Sequence, residues 1–272
     1  MKSNHEVIIP NEDLPFKMFL FEGEQGNYYR DKHWHRSIEI FAVFKGCLKF
    51  YLDDIERQLN SGEFILVNSN EIHAIDAWEP NQTIVVQIPL MTFSDYFTWE
   101  QYIRFTHERT EKDDQVMKLI EEMYAVYKKK TIGYEMQVKS GYYMLLYWLV
   151  SIYRELDVKE ELLKQSKKLN KLLPITEYIK EHYKEEVSLE LLAEVFGYAP
   201  AYLSRIFQKY AGINYKDYLQ SVRMEYAFFE LNHTEHTVSE VALNNGFSNS
   251  RAFTKAFQRK YGVLPSKYLR EK

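Results

Sequence analysis

Ser188-Leu-Glu-Leu-Leu-Ala193 ahead of Gly197-Tyr198, and Thr237-Val-Ser-Glu-Val-Ala242 ahead of Gly246-Phe247, are one pattern written twice, 49 residues apart. Further on, Phe207-Gln208-Lys209 and Phe257-Gln258-Arg259, Gly212 and Gly262, and Tyr218-Leu219 and Tyr268-Leu269 repeat at a spacing of 50. The second copy therefore holds one extra residue between Gly246 and Phe257. In each copy a hydroxyl residue, Ser188 or Thr237, can N-cap a short helix by accepting from its first free amides. Gly197 or Gly246 then ends that helix, because glycine tolerates the left-handed conformation a helix C-terminus adopts. A second amphipathic helix follows, burying Leu203, Ile206 and Phe207 in one copy and Phe253, Ala256 and Phe257 in the other.

Helix, glycine turn and helix make a helix-turn-helix, whose second helix enters the DNA major groove. A duplicated hairpin used only for packing would need no matched polar faces. Here the outward positions are Ala201, Ser204, Arg205 and Gln208 in the first copy. In the second they are Ser250, Arg251, Thr254 and Lys255. Arg, Ser and Thr suit base edges and phosphates. A third helix, Tyr215 to Leu231, joins the copies. At 1.5 Å per residue it is about 24 Å long, and with its flanking turns it can set two recognition helices about 34 Å apart, one DNA turn.

Several segments carry a resemblance to the AraC/XylS family of transcriptional regulators. They are Ser204-Arg-Ile-Phe-Gln-Lys209, Arg223 with Ala227, Val241-Ala242, Gly246-Phe247, Phe253-Thr-Lys-Ala-Phe-Gln-Arg259 and Gly262-Val-Leu-Pro-Ser-Lys-Tyr268. The likeness covers about residues 170–272. It implies a seven-helix DNA-binding domain and, in most members, activation of promoters through RNA polymerase. It carries base reading onto Ala201, Ser204, Arg205, Ser250, Arg251, Thr254 and Lys255. Phosphate contacts are assigned to Gln208, Lys209, Lys216, Arg259 and Lys260. Ala201 stands where the family often has a larger side chain, so the first helix is expected to read fewer bases directly.

The net charge of −4 hides an asymmetry. From Lys167 onward there are 16 Lys and Arg against 12 Asp and Glu, or +4; the remainder has 19 against 27, or −8. Only the C-terminal part is suited to meet phosphates. The single cysteine, Cys47, excludes an intrachain disulfide and fits a reducing compartment. Met1 to Met18 lacks the apolar run of a signal peptide, and Tyr142–Ile152 is far short of the roughly 20 apolar residues that span a bilayer. A cytoplasmic chain is the expectation.

Up to about Pro89 the sequence is strand-like. Ile38–Phe44, Leu48–Leu52, Phe64–Val67 and Thr83–Ile88 are β-branched or aromatic runs separated by Asp53-Asp54, Asn60-Ser61-Gly62 and Asn68-Ser69-Asn70. They predict an all-β barrel or sandwich. After about residue 112 the period becomes helical. Val116, Leu119, Ile120, Met123 and Tyr127 lie on one face, and Lys128-Lys129-Lys130 close the helix at its negative end. A second helix, Tyr134 to Leu156, is apolar nearly all round from Tyr142 to Tyr153. It is expected to be buried on more than one side, either against its own barrel and the first helix or also in a homodimer interface. Asp157 to Leu173 reads as a charged linker with partial helix. The fold class is thus α+β multidomain: a cupin-like effector barrel over 1–110, a helical dimerisation and packing segment over 111–158, a linker over 159–172, and a DNA-binding domain over 173–272.

His33-Trp-His35-Arg-Ser-Ile-Glu39, with Gly46, and Gly62-Glu-Phe-Ile-Leu-Val-Asn68-Ser-Asn70-Glu-Ile-His73 form the other pattern. On a strand His33 and His35 share a face. With Glu39 and His73 they supply three imidazoles and a carboxylate, a set suited to a divalent metal. The spacing resembles the two cupin motifs, and a cupin-type barrel is the usual sensor half of the AraC family. It departs from cupin enzymes at Asn68 and Asn70, which replace Pro and Gly, and at Ala77, which replaces Asn. The expectation is therefore a ligand-binding barrel with no cofactor and no metal. If metal is present, its ligands are His33, His35, Glu39 and His73, and a metal-dependent cupin enzyme fused to a DNA-binding domain is the alternative. The effector pocket is assigned to Trp34, His35, Arg36, Glu39, Phe41, Phe50, His73 and Trp78, because pockets combine apolar walls with a few placed polar groups. The family resemblance suggests a carbohydrate effector.

Overall fold

A computed structural model describes residues 4–6, 8–22, 28–52, 55–97, 103–106, 108–157, 172–211 and 213–271. Most of the expected linker, 158–171, and Gly212 lie outside these. The chain divides into two compact units, Met1–Lys167 and Lys168–Lys272. Among the described residues no helix is long and apolar enough to cross a membrane.

Among the described residues the N-terminal unit holds nine strands: β1 (Asn4–His5), β2 (Lys17–Glu22), β3 (Tyr28–Trp34), β4 (Ser37–Lys45), β5 (Cys47–Leu52), β6 (Ile55–Asn60), β7 (Glu63–Val67), β8 (His73–Ala77) and β9 (Gln82–Pro89). They form a five-stranded sheet, β1-β3-β8-β5-β6, and a four-stranded sheet, β2-β9-β4-β7. Alternation divides the side chains between two cores. Phe41 and Val43 of β4, Phe50 of β5, Ile75 of β8 and Val85 of β9 fill the space between the sheets. Ile38, Ile40 and Ala42, with Val86 and Ile88, take the other face of β4 and β9, under helices α1 (Asp113–Lys129) and α2 (Tyr134–Trp148). A strand covered on both faces is apolar on both, which is why Ile38–Phe44 is apolar except at Glu39.

α1 ends at Lys129, with Lys130 in the left-handed region at φ 45°. α2 stops earlier than its apolar run: Leu149–Tyr153 form a π-helical turn, and Arg154 turns extended to bridge Phe105. Among the described residues α2 packs on α1 and on the barrel core, and one side of it stays open. Val138, Tyr142, Leu145, Leu149 and Tyr153 are buried, whereas Tyr143 is 65% and Tyr147 63% exposed. A helix lying on a sheet covers one stripe, and its far side stays open.

The C-terminal unit contains α3 (Leu173–His182), α4 (Leu189–Val195), α5 (Pro200–Ile206), α6 (Tyr215–His233), α7 (Val238–Asn244), α8 (Ser250–Tyr261) and α9 (Pro265–Glu271). Ser188 Oγ accepts from the Leu191 amide at 3.0 Å, and Thr237 forms a reciprocal capping box with Glu240. At the other ends, Tyr198 N–H donates to Ala193 O at 2.8 Å and Phe247 N–H to Ala242 O at 3.0 Å, around Gly197 and Gly246 at φ +68° and +76°. The same closing bond therefore ends both helices.

The copies then diverge. Four residues, 196–199, separate α4 from α5, and five, 245–249, separate α7 from α8, so the extra residue lies in the turn. Asn249 caps α8 by accepting from Ala252 N–H at 2.9 Å, whereas α5 starts on Ala199-Pro200 with no side-chain cap. α8 is one continuous helix of 12 residues; α5 passes after seven into a π-helical turn, Phe207–Ala211.

One junction joins the two copies. Arg223, on α6, donates through Nε to Tyr183 O and through Nη2 to Glu185 O, both at 2.7 Å. Gly246 packs against the same spot. A Cβ there would lie 2.7 Å from Tyr183 O and 2.9 Å from both Lys184 O and Arg223 Nε, while at Gly197 it would meet open space. Gly197→Ala should therefore cost only left-handed backbone strain, about 1–2 kcal/mol. Gly246→Ala adds overpacking, for about 2–4 kcal/mol in total. Urea unfolding of the two variants should show the larger midpoint loss at Gly246; equal losses would refute this account of the junction.

Candidate nucleic-acid interface and buried histidine cluster

The helical period gives α5 and α8 matching faces. Leu203, Ile206 and Phe207 in one copy, and Phe253 and Phe257 in the other, are buried; Ala256 is half-buried. On the opposite side Ala201, Ser204, Arg205, Gln208 and Lys209 are exposed. On α8, Arg251, Lys255, Arg259 and Lys260 are exposed, and Ser250 and Thr254 are half-buried. With the shift of 50, Arg251 stands where the first copy has Ala201, Lys255 where it has Arg205, and Arg259 where it has Lys209. The α8 face is thus the more cationic. Lys216 is exposed at the start of α6. Lys260 Nζ is engaged by the Glu225 carboxylate of α6.

In the N-terminal unit His33, His35, Glu39 and His73 converge, with one donor atom from each lying within 4.8 Å of the others. Glu39, Phe41 and Val43 share the inward parity of β4. His73 faces inward from β8, directly across from His33 of β3. His35 reaches the cluster from the bend just past the end of β3, so strand parity alone does not place it. Each imidazole directs Nδ1 at a backbone carbonyl: His33 at Asp31 O (2.9 Å), His35 at Ser37 O (3.1 Å) and His73 at Glu71 O (3.0 Å). A carbonyl only accepts, so each Nδ1 carries a proton and each Nε2 faces the cluster. His35 Nε2 lies 2.7 Å and His73 Nε2 3.1 Å from Glu39 Oε2, and Gln87 Nε2 donates to Glu39 Oε1 at 2.6 Å.

Burial pushes the Glu39 carboxyl upward, but the charge and hydrogen bond of His35, with His73 close by, outweigh it, holding Glu39 well below the carboxylate range. Burial pushes His35 down, and Glu39 overrides it to hold this imidazole above its ordinary value. For His73 burial prevails, helped by the neighbouring imidazoles, and it is held low. The buried His73 Nε2 makes no hydrogen bond. A neutral His73 whose Nε2 lone pair faces a carboxylate sets two acceptors against each other, and a cation between them would satisfy both. The donor set therefore fits a divalent ion, with the Nδ1–carbonyl bonds orienting the ligands from behind.

Phe50 stacks on His73 with centroids 5.8 Å apart, and Phe41 stands edge-on to it at 6.2 Å. The other residues assigned to the pocket lie elsewhere. Trp34 takes the opposite face of β3 from His33, because neighbours on a strand alternate. Arg36 is half-buried in the bend before β4. Trp78 is 38% exposed beneath the Lys49 ammonium, 4.9 Å from its ring centroid. Two members of the site were not anticipated. Gln87, a lone amide in an apolar run, falls on the inward parity of β9, a signal the sequence does carry. Glu6, whose carboxylate meets His33 Nε2 at 3.2 Å, has no local signal. Two of the three cupin departures have local reasons: Asn70 adopts φ 68°, a conformation glycine would also supply, and the Asn68 amide pairs with both backbone groups of Phe105.

Residues 15–146 match the family model for an AraC-like ligand binding domain, and residues 192–271 match that for a helix-turn-helix domain. Over 236 residues, 85% of this chain, it is 23% identical to an uncharacterized HTH-type transcriptional regulator of Staphylococcus aureus (strain COL), of which it spans 31% of the length. The uncharacterized HTH-type transcriptional regulator YdeC of Bacillus subtilis (strain 168) is 20% identical over 258 residues, covering 89% of this chain and 87% of that protein. Among solved structures, ToxT from Vibrio cholerae superposes with a TM-score of 0.63 at 15% identity, covering 94% of this chain and 98% of that one. ToxT with a bound unsaturated fatty acid gives 0.57 at 14%, covering 93% and 94%. At these identities ToxT shares the fold.

Proposed function

The chain belongs to the AraC/XylS family of transcriptional regulators, and from that premise we propose that it regulates promoters by binding a specific DNA sequence through α5 and α8 in response to a small molecule bound in its N-terminal unit. The observation that carries this reading is the pair of matched polar faces, joined by one helix. α6 has 19 residues and is about 28 Å long, close to one turn of DNA at about 34 Å. Ala201, Ser204, Arg205, Ser250, Arg251, Thr254 and Lys255 read bases. Gln208, Lys209, Lys216, Arg259 and Lys260 meet phosphates, Lys260 exchanging Glu225 for the backbone. The regulator acts in the cytoplasm without catalysis of its own and activates transcription through RNA polymerase. The effector lies against His35, Glu39, Phe41, Phe50 and His73, a mixed lining that suits a polar molecule with an apolar face, such as a carbohydrate. The protein works as a homodimer joined through the open side of α2, where Met136, Tyr143, Met144 and Tyr147 are exposed.

One observation favours a second reading, a metal-dependent cupin enzyme carrying a DNA-binding domain: all three imidazoles are pinned at Nδ1, and one donor atom of each converges with Glu39 to within 4.8 Å. His33, His35, Glu39 and His73 would hold the ion, which would supply a Lewis acid.

Three measurements test these readings. Arg251→Ala and Arg205→Ala should each weaken specific binding by about 1–3 kcal/mol, roughly 5- to 150-fold, with unchanged melting. Footprinting affinities equal to wild type for both would refute the assignment. Tyr143→Glu with Tyr147→Glu should convert a dimer to a monomer in sedimentation; a wild type that sediments as a monomer would remove α2 from the account. Under the metal reading, protein purified without chelator carries one equivalent of divalent ion, absent in His35→Ala; metal-free wild type leaves the cluster to the effector.

A further inference from the structure

β1 is a two-residue strand at the edge of the five-stranded sheet. It pairs with β3 in parallel over two positions only, Asn4 with His33 and His5 with Trp34, and the Glu6 amide adds one bond to Trp34 O at 2.8 Å. What this short strand delivers is a carboxylate. Glu6 Oε1 lies 2.6 Å from Arg30 Nη2, and Oε2 lies 3.2 Å from His33 Nε2. The side chain is only 16% exposed. Each oxygen has its own cationic or imidazole partner, so the pair recognises a planar, two-oxygen anion.

A partly buried ion pair is a poor stabiliser, because desolvation offsets much of its attraction. A two-residue edge strand is also the kind of element that detaches locally. The chain thus holds one of its own carboxylates, on a weak tether, against an imidazole of the cluster. We propose that Arg30 and His33 form the anion-binding end of the effector site, that the effector carries a carboxylate, and that it binds by displacing Glu6. This rests on the effector reading above and narrows its chemistry: an acid such as a sugar acid, with its body toward His35, His73 and Phe50, rather than a neutral molecule. Because Glu6 is tethered, it competes at high effective concentration. A free acid therefore needs contacts beyond its carboxylate to bind the wild type, whereas removing Glu6 lets a bare carboxylate bind.

The test uses the full chain and matched probes, acetate against acetamide and glucuronate against glucose, read by thermal shift and by hydrogen exchange at Glu6. Glu6→Ala should gain stabilisation by acetate and not by acetamide. It should also bind glucuronate at least ten-fold more tightly than wild type. Arg30→Gln in the Glu6→Ala background should lose both effects. In the wild type, glucuronate should speed exchange of the Glu6 amide. Acetate and acetamide acting alike on Glu6→Ala, or carboxylate binding that survives Arg30→Gln, overturns the proposal. Glucose binding the wild type and Arg30→Gln equally well overturns it while leaving the effector reading intact. A barrel that none of the four probes stabilises, in any variant, counts against both.

Discussion

The C-terminal domain depends on the Arg223 guanidinium donating to two carbonyls just past the end of α3. Those carbonyls lie in the segment that leads from α3 into the first helix-turn-helix, Arg223 belongs to the connecting helix, and Gly246 of the second turn packs onto the same place. A long helix alone fixes the distance between two readers but leaves rotation about its axis free to vary with every side-chain adjustment. A charged, planar donor bonded to two backbone atoms removes that freedom, because main-chain oxygens cannot swing away as side chains do. The stacked Tyr183 and Tyr226 rings, 4.2 Å apart, brace the same corner.

The N-terminal unit is organised around the opposite problem, a charge kept inside. Glu39 takes a buried position on a strand whose neighbours are all apolar. It is tolerable there only because His35, His73 and Gln87 meet its oxygens. The histidines are fixed from behind by backbone carbonyls, so the cluster's geometry is set by strand and bend positions rather than by side-chain choice. Such a site is stiff, and a ligand entering it meets preset polar atoms.

Much of this was legible in the sequence, for reasons that differ by domain. Helix-turn-helix geometry is local: caps, glycines and apolar positions all lie within about twenty residues, and the repeat gave each a second reading. The extra residue was visible as a change of spacing, although only the turn lengths put it before Asn249. Strands β4, β5, β7 and β9 were legible because burial on one or both faces makes them apolar. β6, with only Leu59 buried, and β8, with Asp76 among its residues, were not. Trp34 adjoins two cluster histidines in sequence, yet neighbours on a strand face opposite ways, so adjacency alone does not bring it to the cluster. Glu6 was invisible because its partners, Arg30 and His33, are distant in sequence and joined to it only through parallel pairing.

The five-residue turn before α8, against four before α5, makes the two readers unequal in approach as well as in side chains. A duplex contacted by two equal readers looks alike from either end. One met, as proposed, by Ala201 and Arg205 at one groove and by Arg251 and Lys255 at the next would not. The bound chain therefore gives the DNA a head and a tail. On the proposed reading, a site turned around along the duplex turns the C-terminal domain around with it.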